Sequence, residues 1–379
     1  MKIVHICQYF AEDMGYQENL LPVYQKILGH KVYIITSDRE PLFHNNKDKR
    51  IVGKLIKNYK GVELFRINIK YESINRFVIF NDLYNLLENI QPDYIFHHGI
   101  TVPSLFTAIK YVKKNPYVIL NCDIHSDYNN SMRNYFSEIY HKVIWRNIIK
   151  FCLPYIKKIY CVAPESLKFA ENVYKIYKDK LEFLPLGGDT KVLENYDMVR
   201  SKYRKLLGIN DNELLFVHAG KITSSKNTKL LLESFNHLEF NNIHLLIIGD
   251  IENSYYKELE PYIVVNKRIK YIGWKSSEEL EKYFCAADLL IQPGSLSAIF
   301  EQAICCGLPV VLKECELNKF LVSNNNGILL KQMTSEELEN ILRTVIENRD
   351  LIDVMHKKAV EFAQNSLSYQ VIANKTLGS

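Results

Sequence analysis

Short runs rich in β-branched and aromatic residues alternate along the chain with longer segments whose apolar positions recur at helical spacing. In the first half the strand-like runs fall at 2–7, 31–36, 62–67, 93–97, 117–121, 158–162 and 181–184, and helical spacing appears at 18–28, 79–87 and 104–113. Around Gly187, Gly188 and Asp189 the pattern breaks, and a polar stretch, 190–212, precedes a second series. There strands are expected at 214–218, 244–248, 270–272, 289–292 and 310–312, with helices at 228–239, 277–285 and 299–306. The last stretch, 337–369, reads as nearly continuous helix. Alternation of this kind predicts an α/β fold of parallel sheets covered by helices. Its twofold recurrence predicts two doubly wound, Rossmann-like units, whose ligand site would lie at the carboxyl ends of the strands.

A length of 379 residues agrees with two domains, and 47% hydrophobic with 24% charged residues is the composition of a globular protein with real cores. No run approaches the roughly 18 to 20 apolar residues that span a bilayer, and the opening from Met1 to Cys7 turns polar too soon for a signal peptide. A cytoplasmic location is therefore expected. The 8 cysteines form no C-x-x-C pair, so they are expected to be reduced and mostly buried thiols, with no metal site. The net charge of +5 is uneven: residues 1–200 carry a net +7 and residues 201–379 a net −2. Residues 101–160 hold 9 basic and 3 acidic side chains interleaved with aromatics, which suits peripheral contact with an anionic membrane as well as it suits a solvated helix face. No nucleic-acid fingerprint accompanies the charge, and nucleic acid is not expected as a partner.

Two segments carry candidate chemistry. In the first, 216–235, a strand ends in Gly220, Lys221 and Lys226 follow, and a helix starts near Thr228. Such a loop can hold a diphosphate between two ammonium groups, although by itself it also fits a lysine-rich surface loop. In the second, 287–311, a strand leads into a turn of small residues, Gly294, Ser295, Leu296 and Ser297, then Ala298 and a short helix. Free N–H groups at that helix start offer a phosphate site, and Glu301 is placed to accept hydrogen bonds from a ribose diol.

Together with the opening strand and its loop, the Gly29-His30 turn, Asp93–Gly99, Pro164, the Gly187-Gly188 turn, Tyr271–Trp274 and Ser366–Tyr369, these segments resemble GT-B fold glycosyltransferases of the family-4, or group 1, type. The resemblance implies two Rossmann-like domains facing a central cleft. An N-terminal acceptor domain, 1–190, would be joined by the C-terminal helix, 360–379, and a nucleotide-sugar domain would cover 191–359. Lys221 and Lys226 would bind the donor diphosphate, and Glu301 the ribose. Ile272, Gly273 and Trp274 would border the base, taken as uracil because uridine is the family's commonest base. Gly15 and Tyr16 would lie by the donor phosphate and acceptor. His125, flanked by Asp123 and Asp127, matches a histidine near the transferred sugar, where one carboxylate could orient it and keep it basic. His97 and His98, at the preceding strand end, suit the cleft and the core equally.

What the resemblance implies is a retaining, metal-independent transfer of a sugar from a nucleotide-diphosphate donor to a glycan or lipid-linked acceptor in bacterial surface polysaccharide synthesis, lipopolysaccharide or capsule. No cofactor beyond the donor, a UDP-sugar, is needed. One departure matters: the family's first glutamate, seven residues before the second, is replaced here by Pro293 or the Gly294 turn. That leaves two other readings, a non-catalytic nucleotide-sugar-binding homologue or scaffold, and a nucleotide-sugar 2-epimerase.

Overall fold

The computed structural model describes residues 1–42, 50–73 and 77–378. It divides into two compact units, Met1–Pro185 with Ala373–Ser379, and Leu186–Ile372.

Unit 1 carries β1 (Lys2–Ile6), β2 (Lys31–Ser37), β3 (Leu55–Tyr59), β4 (Val62–Ile67), β5 (Ile69–Ser73), β6 (Phe77–Phe80), β7 (Tyr94–His97), β8 (Ile119–Ile124), β9 (Lys158–Cys161) and β10 (Leu181–Phe183). Eight of them form one sheet in the order β10-β9-β8-β7-β1-β2-β4-β3, parallel except for the β3–β4 pair, and β5 and β6 form an antiparallel ribbon. The order runs both ways from β1, through β2 on one side and β7 on the other. Such a switch point opens a crevice at the carboxyl ends of β1 and β7. Ile3, Val4, Ile34, Ile35, Ile95 and Phe96 are buried, as continuous apolar strands covered on both faces must be.

Unit 2 carries β11 (Leu214–Ala219), β12 (Ile243–Ile248), β13 (Ile269–Tyr271), β14 (Leu289–Gln292), β15 (Val310–Lys313) and β16 (Gly327–Leu330), all parallel, in the order β13-β12-β11-β14-β15-β16. Its switch point lies between β11 and β14. The carboxyl ends there are the Gly220-Lys221 loop and the Pro293-Gly294 turn.

Several expectations shift. Residues 79–87 do not form one helix: Phe77–Phe80 is a strand and the helix is Leu83–Ile90, because the alternating run Phe77, Val78, Ile79, Phe80 buries Val78 and Phe80 against the sheet. The polar stretch contains the helix Tyr196–Leu207, which exposes most of its surface but buries Arg204, whose guanidinium donates to Ala286 O, Asn210 O and Glu213 O. The return to unit 1 begins at Ala373, later than residue 360, because Ile352, Met355 and Phe362 are buried and the Ser368 backbone pairs with Gly188. Seven of the 8 cysteines are buried and Cys315 only partly.

Candidate functional site

The two ends at the unit 2 switch point are laced together. Lys226 is buried, and its Nζ donates to Ser295 O at 2.8 Å and Leu296 O at 2.9 Å. Ser295 N donates to Ser225 O, Asn227 Nδ2 to Pro293 O, and the Ser225 and Ser295 hydroxyls meet at 3.2 Å. A side chain on Gly294 would collide with the Lys226 backbone, so only glycine lets the two segments approach this closely. Beneath them, Gln292 Nε2 donates to Ala219 O, while His218 donates from Nδ1 to Ile291 O and meets the Thr228 hydroxyl through Nε2. Burial pushes the His218 pKa down to about 4, so it is a neutral strut between β11, β14 and the next helix.

Burial also lowers the Lys226 pKa to about 8. Among the described residues its ammonium is met by the two carbonyl dipoles, with Phe300 offering its ring at 6.0 Å. Lys221 is exposed on the same loop. Two cations, one fixed and one free to reach, at a strand's carboxyl end are what an anionic ligand requires. The following helix, Ile299–Cys305, spans 7 residues, so its dipole is small and the lysines are the main positive charges. Ser297 packs beside Gly220, and Ala298 is the residue before the helix.

Glu301 lies in this helix and is 1% exposed. It accepts a hydrogen bond from the backbone N–H of Gly187. Burial raises its pKa to about 8 against the opposing pull of the Gly187 and Leu186 N–H groups. Ile272 and Gly273 are half-buried at the end of β13, where Gly273 adopts φ 68 and accepts from Gly249 N, and Trp274 is 52% exposed. The structure thus collects Gly220, Lys221, Lys226, Gly294, Ser295 and Ser297 at one place.

Unit 1 gathers a second group. Asp123 lies in β8, and His125 follows directly after the strand's last residue, Ile124. His125 Nε2 lies 3.6 Å from Asp123 Oδ2, and His98 Nδ1 lies 2.8 Å from the same oxygen, with Gly99 N donating to Oδ1 at 2.6 Å. Burial opposes ionisation of Asp123, yet His98 and His125 hold its carboxyl well below the usual range. In turn Asp123 outweighs burial and raises the His125 pKa. The side chain of His125 is 49% exposed. His97 is buried and pinned by Gly99 O and the Ser104 hydroxyl, a core role. Asp127 caps the helical turn Tyr128–Ser131, accepting from Asn129 N and Asn130 N. Gly15 is half-buried and Tyr16 41% exposed, just before the helix Gln17–Ile27. Sequence reasoning passed over His5 and gave Asp123 only a flanking place. The signal for Asp123 was its spacing of two from His125.

Two doubly wound units of parallel strands, the second with a lysine-bearing loop at its switch point, define the GT-B class of fold. Residues 199–365 match the family described as glycosyl transferases group 1. A Klebsiella pneumoniae protein described as an uncharacterized 41.2 kDa protein in the cps region is 22% identical over 375 residues, 96% of this chain and 91% of that protein. The Escherichia coli UDP-Gal:alpha-D-GlcNAc-diphosphoundecaprenol alpha-1,3-galactosyltransferase is 24% identical over 232 residues, 57% of this chain and 58% of that enzyme. Among solved structures, Anabaena Alr3699/HepE in complex with UDP-glucose superposes with a TM-score of 0.71 at 17% identity, covering 100% of this chain and 99% of that one. The chain is thus similar, at low identity, to glycosyltransferases and to a protein of a cps region.

Proposed function

We propose that the protein transfers a sugar, with retention at the anomeric carbon, from a UDP-sugar to a lipid-linked or glycan acceptor. The observation that carries this reading is Lys226, a buried ammonium with no carboxylate partner among the described residues, fixed on the Ser295 turn at the unit 2 switch point. In the reading Lys221 and Lys226 hold the donor diphosphate, and Glu301 and the Trp274 segment receive ribose and base. The bond between the anomeric carbon and the diphosphate breaks, and its electron pair leaves with the nucleotide. The acceptor oxygen attacks from the same face and passes its proton to a departing phosphate oxygen. The lysines stabilise the charge that accumulates, the kind of preorganised electrostatics worth several kcal/mol. Neutralisation by lysine takes the place of a metal ion. A UDP-sugar donor agrees with the bound UDP-glucose in the Anabaena structure and with the donor named for the Escherichia coli enzyme.

A lipid-linked acceptor is favoured by the surface of unit 1. Tyr135, Phe136, Ile139, Val143, Ile144 and Phe151 are exposed on the helical run 135–152, beside Lys142 and Lys150. An apolar stripe rimmed by lysines suits peripheral contact with an anionic bilayer. No helix among the described residues is long and apolar enough to cross a membrane.

The test is a panel of nucleotide sugars, each measured for thermal stabilisation, followed by transfer to undecaprenyl-diphosphate sugars with NMR of the new linkage. An axial donor giving an axial product supports retention. Stabilisation without transfer or hydrolysis would favour the non-catalytic binding reading, and an isomerised donor the epimerase.

A further inference from the structure

Beneath His125 a line of buried polar side chains crosses unit 1. Thr376 Oγ1 donates to Ala373 O at 2.8 Å and accepts from Gln25 Nε2 at 3.1 Å. Gln25 Oε1 lies 2.7 Å from His5 Nε2, His5 Nδ1 lies 3.1 Å from His98 Nε2, and His98 Nδ1 meets Asp123 as described. Strand register builds this row: His5 pairs with Phe96 and Phe96 with Asn121, so two residues further along His98 stands beside Asp123. Thr376, Gln25, His5 and Asp123 are all buried, shielding the row from water.

The protons can be assigned from one end. Ala373 O can only accept, so the Thr376 hydroxyl donates there and its oxygen receives the Gln25 amide N–H. Gln25 then turns Oε1 toward His5, which must donate from Nε2. Burial pushes the His5 pKa down to about 3, so the ring is neutral and its Nδ1 is bare. His98 must fill that bare site from Nε2, and it must also donate from Nδ1 to the Asp123 carboxylate.

We propose that His98 carries both ring protons and acts as a positioning residue, pairing with Asp123 so that the carboxylate orients His125 without forcing a proton onto it. The other groups around the pair do not supply this proton. Burial raises the Cys7, Cys122 and Cys161 thiols, which stay neutral. His97 is occupied by Gly99 and Ser104, and Glu18, the other carboxylate acting on His125, lies on the helix Gln17–Ile27. The rival arrangement rotates the Gln25 amide, turns the Thr376 hydroxyl onto it and leaves His98 neutral. Loss of His98 would leave Asp123 facing His125 alone, raising the pH at which His125 titrates by roughly one unit, the usual size of an opposite-charge effect at this range.

The experiment is nitrogen NMR of the full chain, ligand-free and labelled at histidine, between pH 6 and 9. Two proton-bearing nitrogens on His98 and one on His5 are expected at pH 7. The resonances are assigned by their loss in His98→Asn, or, if that variant does not fold, by contacts of the His98 ring with Phe96, whose centroid lies 4.9 Å away. A bare nitrogen on His98, or an unmoved His125 titration in folded His98→Asn, overturns the proposal. Only the consequence for transfer rests on the proposed reaction: a pH–rate profile shifted upward in His98→Asn is expected. Because the NMR is read without donor, a protein that transfers no sugar would still confirm or refute the proton placement.

Discussion

The ammonium nitrogen of Lys226 lies 2.8 Å from the carbonyl oxygen of Ser295, and this contact joins the two loops at the unit 2 switch point. A cation held by neutral dipoles keeps its charge uncancelled for an incoming anion. The same contact makes the lysine structural before any ligand arrives.

Replacing Lys226 therefore has two separable effects. In Lys226→Met the stem still fills the site but both carbonyls lose their donor, and hydrogen bonds to charged groups are worth about 1.5–3 kcal/mol. UDP affinity by calorimetry is expected to fall at least tenfold, with a small drop in melting temperature. Unchanged affinity would remove Lys226 from the donor site.

The pH dependence of donor binding follows from the same residue. Diphosphate favours the charged ammonium, whose pKa in the free protein is about 8. UDP binding is expected to weaken as pH rises past 8, and in Lys226→Met that weakening should vanish.

Glu301 predicts a slope in stability. Its folded pKa of about 8 lies above the ordinary 4.5, so between these values the folded state binds more protons than the unfolded one. Stability from this group is present at low pH and declines as pH rises through the window, at no more than about 1.4 kcal/mol per pH unit. Denaturant titrations of Glu301→Gln should lack this decline, and the variant should gain on the parent most at pH 8 and above.

Gly294 is expected to tolerate no side chain. Gly294→Ala drives a methyl into the Lys226 backbone, and overpacking of this kind costs about 1–3 kcal/mol. A lowered melting temperature together with weaker UDP binding is expected, whereas Gly208→Ala, with open space around it, should leave UDP binding intact.

The apolar stripe of unit 1 can be tested with vesicles. Phe136→Ser with Tyr135→Ser removes two of its most exposed rings and should reduce sedimentation with phosphatidylglycerol vesicles without moving UDP affinity.

Fold class and most strands were legible in the chain because a parallel strand buried on both faces is a continuous apolar run, as in β14, where Leu289, Leu290, Ile291 and Gln292 are all buried. The Lys221–Lys226 loop and the Gly294 turn were legible for a similar reason, since glycine and lysine at a strand's end are unusual locally. The helix Tyr196–Leu207 was not, because its buried anchor is a charged residue, Arg204, which reaches the carbonyl of Ala286 far along the chain.

The sequence by itself determined which segments become strands and which strand ends carry charge, because burial and backbone conformation are set by neighbours a few residues apart. Only the tertiary structure decided that Thr376, Gln25, His5, His98 and Asp123 form one row, and that Lys226 is anchored by Ser295 and Leu296. Hydrogen bonds depend on distances of tenths of an ångström between residues scattered through the chain, and strand order and register alone bring them together.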